Sequence, residues 1–563
     1  MKKKQVEVLQ SLLKRPDLTT DQRETLEQLV KNTPTDPTEG LELNGAAFKR
    51  AGPDVGRIRL CLDFGTALSK AWVTGRGANE TLPLLIGKAA GGEGLTVPSS
   101  IYIGEGGRIY LGADAERQHR AEAESARPRF DNLKRMLSEA LVGTELRSLP
   151  LRAGIDPTQS GVTGGDLLIL YFAWLTDLSE TALDAALKAT GGKFSIGKGD
   201  IRAVARRFAI PCFESADGKQ GVARAQWARE VMTDALLRAQ ILADTLRGQW
   251  HQLTMKQLRG LMAELYRLDV KGLSHLMPKD CAVREPIAAG ASRFDSILGQ
   301  RDEATAAPIR EYLLVVDAGA GTTDFALFQA ITRIGELRPS YALLRKSVRM
   351  CRIAGNEVDS ILRPIILEAC GVDRQKLSPD DFAYAGMDLD SQIREIKRNL
   401  FDQKSVSVVL RPTFSGTVKL SHLLAAQKMM QDGMELIGMR NDVVSCIFDE
   451  DQLDVLSTAG TVPVYVLLTG GSCGIPIIKD LAAGELALRG TRFRFTLVDR
   501  LPDWVSLLPR DAAQQLANVY PQCAVAIGGS VPALPVELRD MEFPVTPARP
   551  GKRILPRTQM SGV

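Results

Sequence analysis

Asp317-Ala318-Gly319-Ala320-Gly321-Thr322-Thr323-Asp324 follows the apolar run Tyr312-Leu313-Leu314-Val315-Val316. A short, unbroken apolar run that ends at a turn reads as a strand buried on both faces, as in an α/β sheet. The turn carries glycines, which tolerate close backbone approach and positive φ. Apolar alternation then resumes. The same pattern stands 254 residues earlier, where Ile58-Arg59-Leu60-Cys61-Leu62 leads into Asp63-Phe64-Gly65-Thr66-Ala67-Leu68-Ser69. Two strand–turn–strand units, each opening its turn with an aspartate, point to a duplicated architecture.

The chain has 563 residues, too many for one hydrophobic core, so two to four domains are expected. Hydrophobic residues make up 44% and charged residues 25%, ordinary for a globular protein. The net charge of +4 is small for this length and predicts no nucleic-acid partner, although Lys2-Lys3-Lys4 and the stretch 549–557 are locally basic. No apolar run approaches the roughly 18–20 residues of a membrane helix, so no membrane partner is expected. The N-terminus lacks the apolar stretch of a signal peptide. Eight cysteines without a CxxC pair predict reduced, buried thiols and a cytoplasmic setting. Four isolated histidines predict no zinc site.

Residues 1–55 read as an appendage of two short helices, Gln5–Lys14 and Thr19–Lys31, the second opened by Thr19-x-x-Gln22, followed by a Thr/Pro linker at 33–38. Strand character is expected at 97–103, 108–112, 203–210 and 462–468. Helical spacing is expected at 113–125, 166–188, 221–246, 254–268 and 388–400. Cys281 to Pro286 reads as a strand entering a Pro-marked turn, and 245–277 as a helical insertion. Six prolines between 532 and 563 predict an extended or disordered tail. The division expected is 56–305 and 306–517 as two lobes, 518–535 as a return helix and 536–563 as tail.

A nucleotide triphosphate needs close backbone N–H groups, hydroxyl donors, a cation and Mg²⁺. Gly65, Gly319 and Gly321 permit the approach, and Thr66, Thr322 and Thr323 bring hydroxyls. Asp63 and Asp317, at strand ends, would hold a hydrated metal from opposite walls. A third element, Leu467-Leu468-Thr469-Gly470-Gly471-Ser472-Cys473-Gly474, repeats the strand–glycine pattern late in the chain.

In this order the three segments resemble the actin-like ATPase superfamily, and within it the nucleotide-binding domain of DnaK-type 70 kDa heat-shock chaperones. Val97-Pro98-Ser99, Phe130-Asp131-Asn132-Leu133-Lys134-Arg135, Glu285-Pro286-Ile287-Ala288-Ala289, Ala354-Gly355-Asn356-Glu357-Val358-Asp359, Ile396-Lys397-Arg398-Asn399-Leu400 and Ala524-Val525-Ala526-Ile527-Gly528 are similar to further segments of that domain. The likeness runs from about residue 57 to 531. It implies a two-lobed α/β fold of duplicated ribonuclease H-like design, binding ATP and Mg²⁺ in the cleft, without a peptide-binding domain.

The resemblance also implies roles. Lys134 would contact the γ-phosphate and position the attacking water. Glu285, Asp317 and Asp63 would hold Mg²⁺ mainly through water, with Asp324 supporting that shell. Gly65, Thr66, Ala67, Gly319, Ala320, Gly321, Thr322 and Thr323 would line the phosphates. Gly355, Lys397, Arg398, Gly470, Gly471, Ser472 and Gly474 would line the nucleoside side. Ala67, Arg394, Phe401, Gly474 and Gln522 depart from that family's pattern, mostly on the adenosine side.

The function implied is a slow Mg-dependent ATPase acting as a conformational switch, or chaperone-like regulator, read by a protein partner. An actin-like filament-forming ATPase, a small-metabolite kinase and a non-hydrolysing nucleotide sensor stay open as alternatives, and the oligomeric state is left open. Gly192-Lys193-Phe194-Ser195-Ile196-Gly197-Lys198-Gly199 nearly matches a P-loop, but it lacks the final hydroxyl residue and a preceding strand, and reads as a loop.

Overall fold

The structure, a computed structural model, describes residues 41–53, 58–75, 81–122, 127–131, 133–189, 204–211, 219–277, 281–294, 309–336, 339–411, 413–457, 460–508 and 510–538. It is an α/β protein built on two mixed sheets.

The first sheet contains β1 (Arg59–Phe64), β2 (Leu68–Thr74), β3 (Thr81–Pro83) and β4 (Thr96–Pro98), with β5 (Ile101–Ile103) and β6 (Ile109–Leu111) as a separate pair; β7 (Ala205–Ile210) and β8 (Ala282–Arg284) complete it. Its order is β3-β2-β1-β7-β8, with β4 also on β2. The second sheet contains β9 (Ile309–Ala318), β10 (Thr323–Thr332), β11 (Ser340–Leu344) and β12 (Arg349–Cys351). After the separate hairpin of β13 (Ser405–Leu410) and β14 (Phe414–Lys419) come β15 (Thr461–Thr469), β16 (Glu485–Leu488), β17 (Thr491–Leu497) and β18 (Val536–Leu538). The order is β16-β17-β15-β9-β10-β11-β18, with β12 on β10.

The two sheets share a connectivity. β1 pairs antiparallel with β2 and parallel with β7, while β9 pairs antiparallel with β10 and parallel with β15. The registers match as well: Asp63 faces Lys70 across the first hairpin, and Asp317 faces Asp324 across the second.

Among the helices, in chain order, are α1 (Ala113–Ala121), α2 (Leu133–Glu139), α3 (Gly164–Ala189), α4 (Lys219–Leu246), α5 (Met255–Leu265), α6 (Glu285–Ala291), α7 (Gly355–Ala369), α8 (Pro379–Gln403) and α9 (Arg510–Ser530). α5 starts at the expected place because Thr254 and Gln257 form a reciprocal capping box. α8 begins nine residues before the expected Asp388. Ser378 caps its first turn and Pro379 takes N1, where its missing N–H costs no hydrogen bond.

Pro286 corrects the reading of Cys281 to Pro286. It does not mark a turn but lies in the first turn of α6, directly after β8, with its fixed φ already helical. α9 starts eight residues earlier than the expected return helix and carries Pro521 in its interior. The first residues of the expected tail form β18, parallel to β11, because backbone pairing at the sheet edge offsets their weak local propensity.

Separate cores lie on the outer sides of the two sheets. A third core holds Cys61, Ala209 and Val283 of the first sheet, Leu313, Val315 and Ala326 of the second, and Ile287, Ala288 and Val525 of α6 and α9. The two helices thus share one core with both sheets. They approach so closely that a Cβ at Gly528 would run into the Ala288 carbonyl.

The 245–277 segment packs on its own unit: Trp250 Nε1 donates to Asp177 Oδ2 at 2.7 Å, and Leu253 is buried. The end of the expected appendage does so too. Arg50 pairs with Asp244 and donates to Gln240 Oε1 at 3.3 Å, while the Asn44 N–H donates to Thr245 Oγ1 at 3.0 Å. The helices expected at 5–14 and 19–31, the 33–38 linker and the 192–199 loop lie outside the described residues. Of the cysteines described, Cys61, Cys281, Cys351, Cys370 and Cys523 are buried thiols as expected, but Cys446 is exposed and Cys473 half-buried. No helix among the described residues is long and apolar enough to cross a membrane.

Candidate functional site

The turns after β1 and β9 meet. A Cβ placed on Gly321 would stand 3.2 Å from Thr66 Oγ1, so the two glycine turns face each other at contact distance. Gly65 is required by its own hairpin, since a Cβ there would run into the Leu68 carbonyl and lie 3.2 Å from Lys70 Nζ. The Ala67 carbonyl accepts from the Ser99 N–H at 2.9 Å, which ties the first turn to β4.

Charged side chains converge between the turns. Lys134, on α2, is ion-paired with Glu285 at the start of α6, and its Nζ lies 3.8 Å from Asp63 Oδ1. Lys70 Nζ donates to Asp63 Oδ2 at 3.0 Å. Asp317 accepts from Thr469 Oγ1 at 3.0 Å, and Asp324 accepts from Thr322 Oγ1 at 3.0 Å. All of these acids are nearly buried: Asp63 is 3% exposed, Glu285 7%, Asp317 6% and Asp324 1%.

Burial sets the electrostatics. It pushes the Asp317 carboxyl up to about 7, and the nearby Glu285 and Asp63 charges push the same way. Asp324 is raised well above the usual carboxylate range by burial, then by Glu285 and Asp317. Burial works against the charge of Lys134, but Glu285 and Asp63 outweigh it and hold its pKa above the ordinary lysine value. Surroundings that raise two carboxylates and retain the Lys134 cation favour an added cation on the acidic side and an added anion near the lysines.

Gly355, Lys397, Gly470 and Ser472, four of the residues expected on the nucleoside side, lie around the β9–β10 turn. Gly470 adopts φ +85°, and a Cβ there would collide with the Ala318 carbonyl and stand 2.8 Å from Asp317 Oδ1. Its N–H donates to the Pro521 carbonyl at 2.8 Å, and the Ser472 N–H to Ala318 O at 2.9 Å. The N-terminus of α7 closes on the β9–β10 turn: the Gly355 N–H donates to Gly319 O at 3.2 Å and the Asn356 N–H to Ala320 O at 2.7 Å. Lys397 Nζ donates to Gly355 O at 2.7 Å and pairs with Asp359 at 2.8 Å. Burial outweighs that partner and lowers the Lys397 pKa. A Cβ at Gly355 would lie 3.3 Å from both Lys397 Nζ and Ala320 Cα and would clash with Ser472 Oγ.

Some expected residues stand apart. The Thr323 side chain is fully buried and its hydroxyl donates to Ile353 O at 2.6 Å, so it braces β10 and does not join the cluster between the turns. Arg398 is exposed on α8, and Gly474 borders open space. Of the departing positions, Phe401 packs partly buried against the second core. Arg394 acts electrostatically on Asp131, across from it in the first unit. A narrow crevice between α1 and α8, lined by His119, Arg120, Arg127, Met387, Asp388 and Ser391, lies at this rim.

Two residues escaped the sequence reading. Lys70 stands seven residues after Asp63, as Asp324 stands seven after Asp317, and that equal spacing is the signal that marks it. Arg224 of α4 caps the helix that carries Lys134. Its NH1 donates to the carbonyls of Leu137, Ser138 and Ala140 at 3.2, 3.1 and 2.9 Å. No short motif announces such a contact.

The donor set fits a hydrated divalent cation better than a directly ligated one. Asp324 Oδ1 is buried with no hydrogen-bond partner, yet no group of three or more His, Cys, Asp or Glu among the described residues is close enough to chelate a metal. Hard carboxylate oxygens around a water shell suit Mg²⁺. The chain matches no protein-family model, and no curated protein matches it significantly.

Proposed function

We propose that this chain is a two-lobed ATPase of the actin-like superfamily, of DnaK type, whose nucleotide state is read by a protein partner. The observation that carries the reading is the meeting of two equivalent strand–turn–strand units, with Lys134 and Glu285 between them. Glycine turns from two sheets, hydroxyls, a buried lysine and raised carboxylates make a polyphosphate site.

Lys134 holds a cation where a terminal phosphate would lie, and it would exchange Glu285 for phosphate oxygen as nucleotide enters. Asp317 and Asp324, with Glu285, would hold the Mg²⁺ water shell. Bound Mg²⁺ would neutralise charge on the phosphate oxygens. Thr66 and Thr322 would donate to phosphates, and Ser472 and Lys397 would border the nucleoside.

Because groups from both sheets grip one ligand, its γ-phosphate would bias the relative position of the two units, and its loss would release that bias. Departures at Arg394, Phe401, Gly474 and Gln522 weaken or alter the contacts to the nucleoside, and ATP remains the first choice of nucleotide.

The test is equilibrium binding and phosphate release with ATP, GTP and adenosine, with and without Mg²⁺. Mg-dependent ATP binding with slow turnover is expected. No triphosphate binding at millimolar concentration would refute the reading.

A further inference from the structure

A run of buried hydroxyls lies behind the first glycine turn. Ser69 on β2 and Ser99 just after β4 are 0% and 1% exposed, and their oxygens stand 2.8 Å apart. Tyr171 of α3 is fully buried too, with its hydroxyl 3.0 Å from Ser69 Oγ and 3.0 Å from the Pro98 carbonyl. A carbonyl can only accept and a phenol has one proton, so Tyr171 donates to Pro98. Ser69 is left to donate to Tyr171, and Ser99 to Ser69. Burial pushes the Tyr171 pKa up, which keeps its proton in place.

This chain of hydroxyls reaches the site by separate routes. The Ser99 N–H donates to the Ala67 carbonyl, inside the glycine turn, at 2.9 Å. Two residues on, Ile101 exchanges both backbone hydrogen bonds with Phe130, at 3.0 and 2.9 Å, shortly before Lys134. The Tyr171 ring packs at 5.5 Å on Phe64, and the Lys134 ammonium lies 5.9 Å from that same Phe64 ring.

Part of the arrangement repeats in the second unit. Thr323 follows Asp317 at the spacing at which Ser69 follows Asp63, and its buried hydroxyl donates to Ile353 O at 2.6 Å, just past β12. Both glycine hairpins are thus tied by a buried hydroxyl to the segment after their third strand. A helix side chain extends that tie in the first unit, which also carries Lys134.

We propose that Tyr171 is a positioning residue: through Ser69, Ser99 and Phe64 it sets the first glycine turn against the helix that presents Lys134. The effect on turnover rests on the nucleotide reading, whereas the brace itself belongs to the unliganded chain. Tyr171→Phe keeps the ring on Phe64. It removes only the proton that Pro98 accepts and the oxygen that Ser69 uses, and so leaves two buried polar groups unpaired.

The test compares wild type with Tyr171→Phe, Ser69→Ala, Ser99→Ala and the double variant Tyr171→Phe/Ser69→Ala, each well below its own melting temperature. In the ligand-free chain, amide hydrogen exchange at 65–68 and 134–138 should quicken at least about fivefold in Tyr171→Phe, with 318–322 unchanged. Ser99→Ala, which removes only the far end of the chain, should show the same pattern more weakly. With Mg-ATP, kcat should fall roughly 10- to 50-fold in Tyr171→Phe, because small misplacements of reacting groups cost up to about 10²-fold, while adenosine affinity stays within about threefold. The double variant should lose no more than about twofold beyond the worse single variant, since both break one chain.

Exchange that quickens equally in both units makes Tyr171 a core residue alone and overturns the proposal. So does an unchanged kcat in folded Tyr171→Phe, or losses that simply multiply in the double variant. Wild-type protein that binds no triphosphate overturns the nucleotide reading, and the exchange pattern then still decides the brace.

Discussion

Lys134 and Asp317 show how single side chains are set to work against their own comfort. A buried ammonium keeps its charge here only because Glu285 and Asp63 surround it. Replacing Lys134 with alanine should lower ATP turnover by roughly 10²–10³-fold, the scale of losing one charge-stabilising donor; single-turnover phosphate release measures it, and an unchanged rate would mean that another lysine does the work.

Asp317 is the opposite case. Its folded-state value of about 7 lies above the roughly 3.9 of an unfolded aspartate, so the folded chain binds the extra proton between those limits. Its contribution to stability is therefore fully present below pH ~4 and lost as pH rises to about 7. Asp317→Asn never ionises. In EDTA it should be more stable than wild type at pH 8, on the order of 2–4 kcal/mol, with the gain vanishing toward pH 4; thermal melts at both pH values decide it. Equal melting at pH 8 would deny that the carboxylate is strained.

At the level of the element, helix α2 is short and its C-terminal carbonyls need partners. Arg224 supplies them from α4, and by doing so fixes the helix that presents Lys134. Arg224→Ala should cost about 1–2 kcal/mol in chemical denaturation and loosen Lys134. Turnover should then fall several-fold, mostly through kcat, with Arg224→Lys recovering part of it. A stability loss with unchanged kcat would make Arg224 a structural cap alone.

Elements whose signals are local were legible beforehand: the capping box of α5, the long apolar faces of α3 and α4, and the buried strands β9 and β15. The start of α8 and the helix that opens at Glu285-Pro286 were misjudged, because proline is compatible with both a turn and a helix N-terminus and only the following packing chooses. β18 owes its form to the open edge of β11, which no property of Val536-Glu537-Leu538 alone reveals.

Across the whole molecule the two sheets share one core through α6 and α9, and the two glycine turns come together where the sheets meet. A ligand held from both sides should protect both turns at once. In hydrogen exchange, Mg-ATP should slow the amides of 64–68 and 318–322 together; protection of one turn alone would dismiss a shared site. Recovery of a protein partner from native extract should likewise differ between ATP-loaded and nucleotide-free protein, and identical recovery would remove the switch.

What the amino-acid order determined unaided is the pair of acidic glycine turns, their buried flanking strands and the alternation of strand and helix, because backbone conformation and burial at these places follow from neighbours a few residues away. Their meeting, the opposition of Lys70 to Asp324 at matched ladder positions, and the cap that Arg224 places on the Lys134 helix belong to the tertiary structure. Those pairings join residues far apart in the chain or depend on strand register, and only the packing of both sheets on α6 and α9 supplies the burial that turns ordinary lysines and aspartates into a buried charged cluster.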